Sequence, residues 1–270
     1  MKSRKTGKVI IETPSSDAPY LYKYFDLHRF IYFISQKQLF FTRLDKLEDP
    51  FEGLSTKFLR DNAHIKTLEY ELKTTTTFST ERIEEINNLK KLNQYINKQT
   101  IKLSQNSQYV NCWFTCERES MAMWNLYSNR DSVALKIDFD DVKKHLQVPF
   151  QEIVEENGNR LSVIGSEITY LKLNPFDSNL PKQKLKYSAL KKDISFAYEK
   201  EYRFLIVTEN LDEQPLYYTI KFPFEDIKIT VLTHPNMEEW KFKNIETLIK
   251  SMNLNLKIEK SSIILRPEIY

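Results

Sequence analysis

Three short segments combine aromatic, cationic and carboxylate side chains at spacings that can serve chemistry. The first is Leu21-Tyr22-Lys23-Tyr24. In a strand, Tyr22 and Tyr24 share one face and Lys23 takes the other. That is either amphipathic packing or a wall for a planar, anionic ligand, because tyrosine rings stack and an ammonium attracts phosphate. The second is Cys112-Trp113-Phe114-Thr115, followed by Met121-Ala122-Met123-Trp124-Asn125-Leu126-Tyr127. Trp124 and Tyr127 stand three apart, so a helix brings them to one face, as core packing or as the edge of a cleft. The third is Glu199-Lys200-Glu201-Tyr202-Arg203, ahead of the apolar run Phe204–Val207. Alternation puts Glu199, Glu201 and Arg203 on one strand face. The pair is either a structural salt bridge or a pocket-rim carboxylate, oriented by the arginine and ionised at neutral pH. Glu201 is expected deeper, toward the apolar run, and Glu199 nearer the mouth.

Two further groups have simpler readings beside the chemical one. Asp138-x-Asp140-Asp141 could bind a divalent metal, but a strand end running into a helix N-cap also explains it. Lys182, Lys184, Lys186, Lys191 and Lys192 form either an anion-facing helix or a solvated face.

Positioning these residues requires both strands and helices. Asp26 can cap a helix whose apolar residues Leu27, Phe30, Ile31 and Ile34 recur at helical spacing. Gln38–Arg43 reads as a strand leading into the turn Asp49-Pro50-Phe51-Glu52-Gly53. Residues 54–106 read as a helical pair inserted between sheet elements. Its second helix starts at Thr80, with Glu81, Glu84 and Glu85 at its positive end and Ile83, Ile86, Leu89 and Ile96 as one apolar face. Strands are expected over Tyr109–Thr115, Val133–Phe139, Tyr202–Thr208, Leu216–Ile220, Ile227–Leu232 and Leu254–Glu259. Helices are expected over Glu117–Ser128, Leu180–Ile194 and about Met237–Met252. Asn157-Gly158, between Glu152–Glu156 and Leu161–Val163, signals a hairpin. Helices and strands do not alternate as in a doubly wound sheet. The expectation is α+β: a polar N-terminal segment over 1–18, then one domain over 19–270 with a bent or split mixed sheet flanked by helices.

Composition removes several function classes. The 270 residues include only four glycines, none spaced for G-x-G-x-x-G or for a P-loop, so a glycine-rich phosphate cradle is not expected. Four scattered histidines without H-E-x-x-H argue against a zinc hydrolase, and the absence of G-x-S-x-G removes the nucleophile elbow. Forty basic side chains against 37 acidic ones give a net charge of +3, too near balance to imply nucleic acid by itself. Cys112 and Cys116, if in one strand, lie about 13 Å apart, beyond disulfide reach. No apolar run reaches membrane-spanning length and the N-terminus lacks a signal-peptide core, so a cytoplasmic protein without membrane contact is expected.

The order of the segments carries more than any one of them. LYKY, QLFFTRLDKLEDPFEG, CWFTCERESMAMWNLYSNRDSVALKIDF and KKDISFAYEKEYRFLIV together resemble a bacterial and phage family of unknown function. That family shows Y-K-Y, N-D-P-F-E, a cysteine-aromatic strand, M-W-x-x-Y and Y-E-x-E-x-R. Here Glu48 replaces the asparagine, Leu126 a frequent histidine, Ser132 a glycine and Phe196 a usual tryptophan. The layout more distantly resembles mono-ADP-ribosyltransferases, including DNA-targeting toxins. The resemblance implies NAD⁺ as substrate, no metal, and a nucleic-acid or protein acceptor, in a toxin or phage-defence effector. It implies Tyr22, Lys23 and Tyr24 with Thr115, Trp124 and Tyr127 as NAD-binding residues. Glu201, Glu199 and Arg203 would be catalytic, although lysine in place of the first strand's usual histidine or arginine departs from the pattern. Breaking a glycosidic bond through an oxocarbenium-like state fits a carboxylate that stabilises positive charge without glycine loop or metal. The alternative is a binding module that holds a nucleotide or nucleic acid without turnover.

Overall fold

Short runs of alternating or wholly apolar residues assemble into one large mixed sheet. The computed structural model describes residues 7–15, 19–49, 52–53, 56–74, 79–172, 187–209 and 214–263. In chain order the elements are β1 (Val9–Ile11), β2 (Tyr20–Phe25), α1 (Leu27–Gln36), β3 (Gln38–Arg43), α2 (Thr56–Thr74) and α3 (Thr80–Asn106). Next come β4 (Gln108–Cys116), α4 (Met121–Tyr127), β5 (Val133–Asp138), α5 (Phe139–Glu156), β6 (Leu161–Glu167) and β7 (Thr169–Leu171). The chain then forms β8 (Lys191–Asp193), β9 (Glu201–Thr208), β10 (Tyr217–Lys221), β11 (Ile229–Thr233), α6 (Glu239–Ser251) and β12 (Lys257–Lys260).

The ten-stranded sheet runs β1-β6-β9-β4-β2-β5-β11-β12, with β3 attached to both β4 and β10, while β7 and β8 pair separately. The β1–β6 and β11–β12 pairs are parallel and the other pairs of the large sheet are antiparallel. The α+β expectation holds, and so does the split. β2 pairs with β4 at Phe114–Cys116, whereas β3 pairs with the same edge of β4 at Tyr109 and Val110. Between them β4 has no strand partner on that side. Lys23 Nζ donates to the Cys112 carbonyl at 2.8 Å, and Asn111 Nδ2 donates to the Phe40 carbonyl at 2.7 Å. Two side chains thus bridge the three strands where the ladder stops.

One sheet face carries the main core, including Leu21, Trp113, Leu135, Tyr202 and Phe204, beneath α1, α5 and α6. α1 starts where Asp26 accepts from Arg29 N at 2.8 Å, and it buries Phe30, Phe33 and Ile34. Asp138 caps α5 by accepting from Asp140 N and Asp141 N, which is the capping reading of that acidic group. The opposite face carries two smaller apolar clusters. One gathers Leu44, Val110, Ala189, Leu190 and Leu205; the other gathers Tyr22, Phe114, Met123 and Trp124.

Four expectations need correction. Asn157-Gly158 is not a hairpin: α5 runs to Glu156, because Val142, Leu146, Phe150, Ile153 and Val154 follow a helical period and are all buried. The helix expected over Leu180–Ile194 falls partly outside the described residues. Its described part is a 3₁₀ turn at Ser188–Leu190 followed by β8. The N-terminal segment is not merely polar, since Val9–Ile11 adds an edge strand to β6. In the helical pair, Ile86 is buried but Ile83, Leu89 and Ile96 face outward.

Candidate functional site

The residues singled out in β2, β4 and β9 meet because these strands are neighbours at the sheet centre. Tyr22 lies opposite Phe114, and Phe114 lies opposite Glu201. One step along, Cys112 lies opposite Arg203. Directly paired residues share a face, so Tyr22, Phe114 and Glu201 form a row across three strands, with Arg203 beside it. Glu199 ends the 3₁₀ turn Ile194–Glu199, and Lys200 follows in the left-handed region at φ 39°. That reversal aims Glu199 at the same cluster although it precedes the strand.

Arg203 is the centre of the cluster. Its Nε and Nη2 each donate to one Glu201 oxygen at 2.8 Å, a bidentate pair. Its Nη1 donates to Glu52 Oε1 at 2.6 Å and to the Ala189 carbonyl at 2.7 Å. Lys192 Nζ lies 2.5 Å from Glu199 Oε2, 3.7 Å from Glu201 Oε2 and 3.9 Å from Glu52 Oε2. Tyr127 Oη donates to Glu199 Oε1 at 2.6 Å, and Glu201 N donates to Tyr170 Oη at 2.8 Å. Three carboxyl groups thus face Arg203 and Lys192 in a region where Glu52, Glu199, Glu201 and Arg203 are all buried.

Burial alone would push the Glu201 carboxyl up, but the Arg203 charge and hydrogen bonds, with Lys192, hold it below the ordinary carboxylate range. Burial likewise opposes the charge of Arg203 and of Lys192, and the surrounding carboxylates outweigh it, raising both. The Tyr127 hydroxyl is raised by burial and then by its bond to Glu199, so it stays a proton donor. Cys112 is raised by burial and by Glu201, which keeps it a thiol.

The other sequence candidates divide between the two faces. Tyr24 packs edge-on to Trp124 at 4.9 Å, and its hydroxyl accepts from Ser120 N at 3.0 Å. Tyr22 Oη donates to the Glu117 carbonyl at 3.2 Å. Trp124 is wholly buried, with Nε1 donating to Glu119 Oε2 at 2.8 Å, so it is core rather than cleft edge. Tyr127, 49% exposed, is the edge. Lys23 and Thr115 alternate onto the opposite face, with Leu21 and Trp113. Lys23 sits over the Trp113 ring at 5.3 Å, and Thr115 Oγ1 is buried without a hydrogen-bond partner. The expected depth of the glutamates is also corrected: Glu199 is at least as buried as Glu201, because its own turn folds back over it.

Three members of the cluster carry no such signal in the sequence: Glu52 reads only as part of a turn, Lys192 only as one of a run of lysines, and Tyr170 belongs to no motif. Glu52 is held from behind: Gln105 Nε2 at the end of α3 donates to its carbonyl at 2.8 Å.

A family described as "Protein of unknown function (DUF2971)" matches residues 123–204. The match takes in Trp124, Tyr127, Lys192, Glu199, Glu201 and Arg203, while Tyr22–Tyr24 and Glu52 lie before it. No curated protein and no solved structure matches the chain. Among the described residues, no helix is long and apolar enough to cross a membrane.

Proposed function

We propose that the chain is an ADP-ribosyltransferase-like enzyme that uses NAD⁺ to modify a macromolecular acceptor, nucleic acid or protein. The observation that carries this reading is the row Tyr22–Phe114–Glu201 across β2, β4 and β9, with Arg203 and Tyr127 on the same face. The transferases that the sequence resembles have an aromatic first strand and a late strand opening on a glutamate; here β4 lies between those two strands. β9 opens on Glu201.

Glu201, ionised and oriented by Arg203, is the carboxylate suited to oppose positive charge developing on the ribose. The C–N bond to nicotinamide breaks, nicotinamide leaves with the electron pair, and the acceptor joins the ribose carbon as it loses its proton. Tyr24, half-buried, is the stacking side chain left on that face, because Tyr22 is 1% exposed and packed against Phe114. Lys192 and Tyr127 stand over the carboxylates, so the ribose reaches them only when those side chains turn aside. Lys23 and Thr115, facing the other way, support the strands rather than the substrate. A role in phage defence or as a toxin rests on the sequence resemblance alone.

The test is incubation with labelled NAD⁺, following nicotinamide release and transfer to nucleic acid or protein. Release by the wild type, lost in Glu201→Gln with native circular dichroism retained at the assay temperature, supports the reading; the variant itself should melt lower, because buried Arg203 loses a partner charge. NAD⁺ binding without release favours a second reading, a nucleotide-binding module. One observation speaks for that module: both Glu201 oxygens are already taken by a wholly buried arginine. If neither binding nor release occurs, both readings fail.

A further inference from the structure

The long helix α3 is built inside out. An ordinary surface helix turns its apolar stripe inward and its polar face to water. In α3 the inward side presents Ile86 together with Asn93 and Asn97, whose buried Nδ2 atoms have no hydrogen-bond partner among the described residues. Beside it runs a stripe of Leu89, Leu92, Ile96 and Leu103, between 46% and 55% exposed, whose first member also lines a groove against Leu68 and Leu72 of α2. Those four residues are spaced three, four and seven apart, the interval of a coiled-coil seam. A stripe of that regularity is not the scattered apolar exposure normal for a surface.

Charge along the same helix identifies what covers the stripe. Glu81, Glu84 and Glu85 lie in its first turns; Lys90, Lys91, Lys98 and Lys102 follow, with no acidic residue between Ile86 and Asn106. Arg82 pairs with Glu85, and Lys90 pairs with Glu69 of α2. Glu84, Lys91, Lys98 and Lys102 are exposed and make no ion pair among the described residues. A helix acidic at one end and basic at the other is complementary to itself when antiparallel and self-repelling when parallel.

We propose that α3 is a homodimer interface, in which two copies of this chain pair their α3 helices antiparallel about a two-fold axis near Leu92 and Asn93. In that register Leu89 meets Ile96 of the second copy, and Glu84 meets Lys102. The contact is isologous, so every pair occurs twice. The proposal does not depend on the transferase reading, since α3 lies outside the cluster around Arg203.

Sedimentation equilibrium of the full chain tests it. The wild type should be a dimer at tens of micromolar. Leu92→Asp combined with Ile96→Asp should raise the dissociation constant about a hundredfold, the scale of losing central apolar contacts. Both side chains are half exposed in one copy, so the circular dichroism and thermal melt of the variant, taken at dilution, should match the wild type. Glu84→Lys and Lys102→Glu should each weaken the dimer, and the double reversal should restore it. A wild type that stays monomeric overturns the proposal, as does a dimer indifferent to Leu92→Asp and Ile96→Asp. Charge reversals without rescue overturn the antiparallel register. A monomer that instead binds single-stranded nucleic acid through Lys91, Lys98 and Lys102 also overturns it.

Discussion

Arg203 holds Glu201 and Glu52 together, and this sets what its loss must do. Replacing it with methionine leaves three buried carboxylates, Glu52, Glu199 and Glu201, facing Lys192 alone, and breaking a buried pair from one side costs about 3–5 kcal/mol. For a chain of this size, that lowers Tm by roughly 6–20 °C. Removing both partners, as Arg203→Met with Glu201→Met, should recover part of that loss, because apolar replacement of a buried pair is often neutral. Differential scanning calorimetry of the single and double variants checks both outcomes; a double variant no better than the single would show that the two residues are not coupled. The cluster also has a pH signature. The Glu201 carboxyl is lower in the folded chain than unfolded, so its contribution is complete above the ordinary carboxylate range and fades as pH falls through the folded value. Lys23 acts in the same direction but in an alkaline window. Burial lowers its ammonium from 10.5 to about 8, so between those values the unfolded chain binds more protons and stability rises with pH. Lys23→Met should flatten the rise in Tm across that alkaline window, and an unchanged slope would place the lysine in water.

At the scale of elements, the split in the sheet depends on Asn111. Its Oδ1 accepts from Trp113 Nε1 at 2.6 Å and Lys23 Nζ at 3.3 Å, while its Nδ2 reaches the Phe40 carbonyl. Asn111→Ala strands the buried Trp113 donor, at about 1–3 kcal/mol, while the part-buried Phe40 carbonyl can turn to water. Urea unfolding should therefore show a loss of about 1–3 kcal/mol, and no measurable loss would mean that water already fills the split. None of this was legible in the sequence, which reads Asn111 as one polar residue in an apolar strand. What periodicity could reach, it reached: α1, β4, β9 and α6 lie close to where spacing and caps put them. Glu199, Glu201, Arg203 and Tyr127 also come together, whereas Lys23 and Thr115 of the same expected set face the other way and Trp124 is core. The failures have one physical cause. Glu52, Lys192 and Tyr170 enter the cluster from three separate segments, and only tertiary packing tells a solvated glutamate in a turn from one held by a buried arginine. Asn157-Gly158 misled similarly, since the same dipeptide closes a hairpin or ends a helix depending on what precedes it.

For the whole molecule, stability should be distributed unevenly, and the distribution follows from which faces are apolar. β9 is buried over most of its length between β4 and β6, with the main core on one side and the ion cluster on the other. Opening it exposes Arg203 with its carboxylates and the aromatic rows Phe150–Phe204 and Tyr202–Phe204. Its amides can exchange only through near-global unfolding. The α2–α3 hairpin is the reverse. Its inward side contains unpaired asparagine amides, its outward side contains exposed leucines, and a single long helix owes most of its stability to packing. Among the described residues, the last turn of α3 is tied down where Gln105 holds the Glu52 carbonyl and Ser104 Oγ lies 2.8 Å from Ser188 Oγ. Hydrogen exchange at high dilution should therefore find amides from Glu84 to Thr100 exchanging at least a hundredfold faster than those of β4 and β9, a gap of about 2.7 kcal/mol in opening free energy. Protection should return toward the last turn, from Ser104 onward. Were Glu84–Thr100 as slow as β9 at dilution, the hairpin would be part of the core and the polar inward face of α3 would have to be paired by contacts other than those seen.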